Sequence, residues 1–109
     1  MKFEDLKFKE KPESKEMVAH TGNEYYRGWQ ALYHADGYEI SIIKGFGAFA
    51  DDERPYELWW WHMSGVDHPA RGHGFDPFGH LTEQDVEYFI NEKCYLDGQK
   101  FKQYLGAKD

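Results

Sequence analysis

The chain has 109 residues, which leaves room for one domain with one hydrophobic core, so we expect a single domain over residues 1–109. The formal net charge of -7 disfavours binding to nucleic acid and to anionic lipid, because an acidic surface repels phosphate groups. A basic protein partner is compatible with that charge. A single cysteine, Cys94, and an N-terminus without a continuous apolar run predict a cytoplasmic protein with no membrane segment.

The first part of the chain gives weak local signals. Within residues 1–16, three apolar side chains precede a charged run that is interrupted by Pro12. We interpret the apolar part as a short edge strand or an ordered arm, and the charged part as a solvated loop. Residues 17–20 predict a brief strand, and residues 21–23 predict the turn that ends it.

A β-hairpin is the clearest local prediction. Residues 29–34 and 38–44 are β-rich runs separated by residues 35–37, where a glycine can supply the positive φ that a tight turn requires. In the second run, the side chains alternate with the period of two that is typical of a half-buried strand. The face that we expect to lie against the core consists of Tyr38, Ile40 and Ile42.

The connector after this hairpin, residues 45–55, contains two glycines, three consecutive acids and a proline, which predicts an irregular loop that is mobile or functional. We interpret its acids first as solvated, and second as groups that coordinate a metal or imitate phosphates. The connector side chains that we consider for partner binding are Phe46, Phe49, Asp51, Asp52 and Glu53.

The run after the connector, residues 56–63, carries large apolar rings on both faces. Alternation along a strand places Trp59 and Trp61 on the face opposite to Trp60. One helix covers only one face of a sheet. Trp59 and Trp61 therefore need a cover of their own, or they form an exposed patch. Three covers are open: the apolar side chains of the N-terminal arm, a second copy of the protein, and a ligand or foreign partner.

Residues 64–80 are rich in glycine, proline and histidine and predict a long loop. Imidazole is a usual ligand of zinc and of related divalent ions, but the intervals between these histidines match no established zinc signature. Two interpretations stay open, solvated histidines and a metal site. The candidate ligands are His62, His68, His73 and His80.

The C-terminal part predicts helices. Thr82 is a natural N-cap with Asp85 in the capping-box position, and apolar residues then recur at helical spacing. We predict a main helix over 82–96 that lies across the apolar hairpin face and buries Cys94. Gly98 is placed to end it, and a short second helix follows. The expected fold is α+β, with an antiparallel meander sheet of three to five strands and the main helix on one face.

Three segments between about residues 37 and 92 carry a resemblance to known proteins. The runs DGYEISIIKGFGAFA, YELWWW and GHLTEQDVEYFI resemble small uncharacterised proteins encoded by bacteriophages and prophages. Those proteins share a strand with a similar "GYe-S-v-kG" pattern, a glycine-containing turn, a "YE" strand and a final "G-LT" helix. The resemblance implies a small α+β accessory protein of phage origin in the host cytoplasm, with no assigned chemistry.

No nucleophile in a triad setting, phosphate loop or complete cofactor motif is present in the sequence. We therefore predict no catalytic residues, no cofactor and no identifiable small-molecule substrate. The leading hypothesis is a non-enzymatic protein-interaction module that binds a host protein or itself through Trp59, Trp61 and the connector. The alternative is a metal-binding protein or metal-dependent enzyme that uses zinc or another divalent ion at the histidines of residues 62–80.

Overall fold

The computed structural model describes residues 1–65 and 76–108, and within them it contains a five-stranded antiparallel sheet whose strands follow chain order. The strands are β1 (Lys9–Glu10), β2 (Gly28–Ala35), β3 (Tyr38–Gly45), β4 (Tyr56–His62) and β5 (Phe78–Leu81). The α-helices are α1 (Pro12–Thr21), α2 (Glu83–Asn91) and α3 (Gly98–Ala107). Short 3₁₀ turns cover Phe3–Asp5, Glu24–Tyr26 and Cys94–Leu96. The predicted α+β fold with a meander sheet is confirmed.

The predicted hairpin is formed by β2 and β3. Their register runs from Gly28 opposite Gly45 to Ala35 opposite Tyr38, which leaves a two-residue turn. Both turn residues, Asp36 and Gly37, have positive φ, at 52° and 84°. Two consecutive residues with positive φ give the turn whose twist matches that of the flanking strands, and an Asp-Gly pair is typical of it.

Trp60 lies at the centre of the core, where its side chain is fully buried. The ring of Phe89 from α2 has its centroid 4.9 Å from that of Trp60, and the ring of Phe78 from β5 stacks on Trp60 at 5.9 Å. The indole N–H of Trp60 donates a hydrogen bond of 3.1 Å to the backbone oxygen of Tyr95. The indole nitrogen of Trp60 therefore has a hydrogen-bond partner inside the core.

Residues 12–21 form α1, so the predicted solvated loop and brief strand are wrong in this part of the chain. Pro12 occupies the first turn, where its missing N–H removes no helical hydrogen bond, and Gly22 ends the helix with φ 69°. Ser14 is the buried residue of this helix, and its hydroxyl accepts a hydrogen bond of 2.8 Å from the Gly28 N–H. A helix without a buried apolar stripe gives no periodicity for a sequence to reveal.

The predicted helix over 82–96 is too long, because α2 ends at Asn91. Lys93 follows in the left-handed region with φ 53°, which breaks the helical path. A 3₁₀ turn then leads to Gly98, which begins α3 rather than ending the preceding helix. The short second helix was predicted, and α3 confirms it.

Strand β5 (Phe78–Leu81) begins within residues 64–80, for which the sequence predicts a loop, so this part of the prediction is wrong. Leu81 of β5 pairs with Tyr56 of β4, and an irregularity in register lies between Tyr56 and Leu58. A four-residue strand that contains a glycine and a histidine carries no clear alternation, which explains why the sequence did not predict it. Residues 66–75 of the predicted loop lie outside the described residues.

None of the helices among residues 1–65 and 76–108 is long and apolar enough to cross a membrane. The predicted burial of Cys94 is confirmed, since its side chain is fully buried. Burial raises the pKa of the Cys94 thiol to about 11. The thiolate form is therefore scarce at neutral pH, which makes this thiol unsuited to nucleophilic catalysis.

Candidate functional site

Trp59 and Trp61 lie on the outer face of the sheet, which is the face opposite to α2. Their ring centroids are 5.9 Å apart, and the two ring planes meet at 59°. Trp59 remains 41% exposed, and Trp61 is half-buried. The alternation predicted for this strand is confirmed, because Leu58 and Trp60 between them are fully buried on the core face.

The N-terminal arm does not cover these two tryptophans. The rings of Phe3 and Phe8 pack against Tyr56, with centroids 4.9 Å and 5.8 Å away, and Leu6 is buried in the core. Tyr56 points to the core face of β4, as Leu58 does. The apolar side chains of the arm therefore complete the core, so the first of the three covers left open for Trp59 and Trp61 is excluded.

A cleft of about 290 Å³ lies on the outer face beside the two indoles. Four side chains from β2, β3 and β4 contribute to its wall, and two more come from the start of α1. These six are Gln30, Ser41, Ile43, Glu57, Lys11 and Glu13. The Gln30 side-chain amide donates a hydrogen bond of 2.9 Å to the Ser41 hydroxyl. The cleft thus combines aromatic surface with fixed polar groups, which is the composition typical of a binding site.

Glu57 connects this cleft to the connector. The backbone N–H of Phe49 lies close enough to its half-buried carboxylate to lower the pKa of that carboxyl. Burial raises the pKa of the Glu57 carboxyl, and the Phe49 N–H and the nearby Lys11 ammonium oppose that rise only in part. The charged form of Glu57 is therefore incompletely compensated, so an additional cation beside it would be favourable.

The connector has no regular secondary structure, as predicted, but it is held in place by Asp51. One oxygen of the Asp51 carboxylate accepts the N–H groups of Glu53 at 3.0 Å and of Arg54 at 2.8 Å. The other oxygen lies 3.2 Å from Nδ1 of His80. The hydrogen bond from the Arg54 N–H is the main reason that the pKa of Asp51 lies below its usual value. The backbone N–H of His80 also donates a hydrogen bond of 2.9 Å to the backbone oxygen of Phe49.

The two connector phenylalanines are exposed but lie against other rings. Phe46 is 42% exposed, and its ring lies 5.6 Å from Tyr25 and 5.0 Å from Tyr26. Phe49 is 66% exposed, and its ring lies 4.7 Å from the ring of His80. Phe46 also shares a depression of about 420 Å³ with the first two acids of the connector. These rings therefore present apolar surface beside carboxylates.

The structure separates the two described histidines of the predicted metal set. His62 ends β4, and its Nδ1 lies 2.6 Å from the Ser64 hydroxyl. His80 lies beside Leu81, which pairs with Tyr56 at the start of β4. Six residues of strand span about 20 Å, so one ion cannot bind both side chains. His68 and His73 lie outside the described residues, and among the residues described no group of three metal-ligating side chains is present.

The sequence prediction missed the polar part of the cleft. Glu57, Gln30 and Ser41 are not among the candidate site residues predicted from the sequence. Alternation already places Glu57 on the same face as Trp59, so this signal was available in the sequence. The register that sets Gln30 opposite Ile43, and Ser41 opposite Trp59, is a tertiary fact and has no local sequence signal.

The resemblance to phage-encoded proteins stays a prediction. No protein-family model, no curated protein and no solved structure matches this chain.

Proposed function

We propose that the protein is a non-enzymatic interaction module that binds a basic partner protein on one continuous surface. We call it the docking surface and define it as the outer-face cleft together with the connector. It comprises Trp59, Trp61, Glu57, Phe46, Phe49, Asp51, Asp52 and Glu53. Glu57 joins its two halves, because its side chain lines the cleft and its carboxylate lies near the backbone N–H of Phe49 in the connector.

The observation that carries the proposal is the exposure of Trp59 beside Trp61 on a sheet face that also forms a cleft. Trp59 is 41% exposed although it belongs to a central part of the sheet. Tryptophan is enriched among the residues that dominate binding energies at protein interfaces, because it buries a large rigid area and keeps one polar atom for hydrogen bonding. Two such rings in contact provide an anchor for a partner.

Charge supports a basic partner over an acidic one. The connector presents three consecutive exposed carboxylates, those of Asp51, Asp52 and Glu53, and the cleft adds Glu57. The whole chain carries a net charge of -7. Complementary potentials accelerate association and reject partners of like charge. The same argument disfavours nucleic acid and a second copy of this chain.

We include phage origin in the proposal only because of the sequence resemblance. A phage accessory protein that acts without catalysis does so by binding a protein of its host. The exposed rings and carboxylates of the docking surface are the groups that such binding would use. In that setting the basic partner is a host protein in the host cytoplasm.

The proposal is tested by capture followed by measured binding. The tagged wild-type protein is used to capture proteins from a host lysate, the captured proteins are identified, and a purified candidate is titrated by calorimetry. We expect Trp59→Ala to weaken binding by about 30-fold, because loss of an interface hot spot costs at least about 2 kcal/mol. Leu96→Ala is the matched control, since Leu96 is 47% exposed and lies outside the docking surface.

Three outcomes would contradict the proposal. The first is that no captured protein depends on Trp59, and the second is that the purified partner binds Trp59→Ala as tightly as the wild type. The third is a wild-type dimer in light scattering that becomes monomeric in Trp59→Ala, which would assign this face to a second copy. Circular dichroism of each variant checks that the fold is retained.

A further inference from the structure

The docking surface contains a cleft into which a single side chain of the partner can insert. Resting on the docking function proposed above, we propose that the outer-face cleft binds an arginine side chain of the partner. Its guanidinium would stack on the indole surface of Trp59 and Trp61 and would donate hydrogen bonds to the Glu57 carboxylate. The three side chains line the same cleft of about 290 Å³.

The aromatic part of the cleft suits a flat cation. Trp59 and Trp61 are inclined at 59° with centroids 5.9 Å apart, so together they present an angled aromatic surface rather than one flat plate. The face of an indole ring carries a negative quadrupole and attracts cations, and arginine is the cation most often found there. A guanidinium is planar and weakly hydrated, so it stacks on such a ring at a lower cost of desolvation than an ammonium group.

The polar part of the cleft suits the N–H groups of the same side chain. Glu57 follows the strand alternation of Trp59 and Trp61, so its carboxylate lies on the face that bears the two rings. A guanidinium offers several N–H donors in a fixed fork that matches a carboxylate. Gln30 directs its amide NH₂ to Ser41, which leaves the Gln30 amide oxygen as a second acceptor in the cleft.

Within residues 1–65 and 76–108, Lys11 is the cation that lines the cleft, and it leaves room for a second one. Its ammonium lies 3.5 Å from the Glu13 carboxylate and so divides its charge between two acids. Burial remains the largest influence on the pKa of Glu57 and raises it. A guanidinium from the partner would stabilise the charged form of Glu57 and gain binding energy in return.

The test uses two small probes that differ in charge. The ¹⁵N-labelled protein is titrated with N-acetyl-arginine amide and, in parallel, with N-acetyl-citrulline amide, which has nearly the same shape and no charge. We expect arginine to bind at least about tenfold more tightly, with the largest shifts at the indole N–H signals of Trp59 and Trp61. Glu57→Gln should reduce arginine binding about tenfold, and the control Glu83→Gln should leave it unchanged, because Glu83 is exposed on α2 and lies outside the docking surface.

Equal binding of the two probes, shifts at another surface, or full affinity in Glu57→Gln would each overturn the arginine proposal. The spectrum of Glu57→Gln away from the cleft shows whether the variant is folded. Trp59→Phe is the second variant, and it should weaken arginine binding while it retains a ring on the strand. Partner binding that depends on Trp59 without any preference for arginine would leave the docking function intact and remove only this inference.

Discussion

The phenol of Tyr104 donates a hydrogen bond of 2.9 Å to the buried carboxylate of Asp85. The second oxygen of that carboxylate accepts the N–H of Thr82 at 2.9 Å, which closes the capping box at the start of α2. The ammonium of Lys108 also contacts Asp85. One side chain therefore caps α2 and fixes α3 beside it.

Replacement of Asp85 by asparagine is expected to destabilise the fold. The amide oxygen can replace only one of the two carboxylate oxygens, and the NH₂ group in the place of the other cannot accept a hydrogen bond. The asparagine side chain also carries no charge to pair with Lys108. The expected loss in free energy of unfolding is about 1–3 kcal/mol, measured by urea unfolding at neutral pH. The control is Glu83→Gln in the same helical turn, because Glu83 is exposed. Equal stabilities of the two variants would contradict the role of Asp85.

The stability of the protein is expected to decrease in acid through the same residue. Burial raises the pKa of the Asp85 carboxyl, but hydrogen bonds from Lys108, Thr82 and Tyr104 together outweigh burial and leave this pKa below its usual value. The contribution of Asp85 is thus complete above about pH 4 and is lost as the pH falls further. Urea unfolding at about pH 7 and about pH 2 measures this effect. The difference in free energy of unfolding between wild type and Asp85→Asn should be smaller at the lower pH. A difference that does not change with pH would contradict this role of Asp85.

The turn between β2 and β3 is expected to require glycine for two reasons. Gly37 has φ 84°, and a Cβ there would lie 2.9 Å from Nε2 of His62. Gly22 is the matched control, because it has φ 69° and no heavy atom of the described residues within 4 Å of a Cβ. We expect Gly22→Ala to cost about 1–2 kcal/mol and Gly37→Ala to cost more, as measured by thermal unfolding. Equal losses would show that His62 moves aside freely.

The order of the connector is expected to depend on Asp51. In Asp51→Ala, the N–H groups of Glu53 and Arg54 lose their acceptor. Their amide hydrogens should exchange with solvent faster, on the order of fivefold, in an NMR exchange experiment. Asp52→Ala is the control, because Asp52 is an exposed neighbour with the same side chain. Unchanged exchange in Asp51→Ala would mean that contacts to β5 alone hold the connector.

The close contact between the connector and β5 has no signal in the sequence. A Cβ added at Gly79 would lie 2.3 Å from the backbone oxygen of Phe49, so the two backbones approach more closely than any other residue allows. Residues 49 and 79 are far apart along the chain, and neither belongs to a recognisable motif. The sequence therefore predicts only an irregular connector that is mobile or functional, and it does not predict the contact of the connector with β5.

Sequence patterns predict the structure correctly where the interacting residues are neighbours in the chain. The Asp36-Gly37 turn, the capping box of Thr82 and the alternation through Trp59, Trp60 and Trp61 each depend on a few consecutive residues. Steric limits on φ, unsatisfied N–H groups at a helix start and the pleat of a strand give the same result in most tertiary contexts. The sequence alone therefore determined the hairpin, the start of α2 and the two-faced strand.

Only the tertiary structure decided which side chains cover each face of the sheet. The N-terminal rings pack on the core face against Tyr56, and this leaves Trp59 and Trp61 on a face where register brings Gln30, Ser41 and Glu57 beside them. Register and packing depend on the summed burial of residues that are distant in the chain, so no short window of sequence specifies them. The sequence could place two tryptophans on the outer face of the sheet, but only the packed chain could make that face into a cleft with a carboxylate.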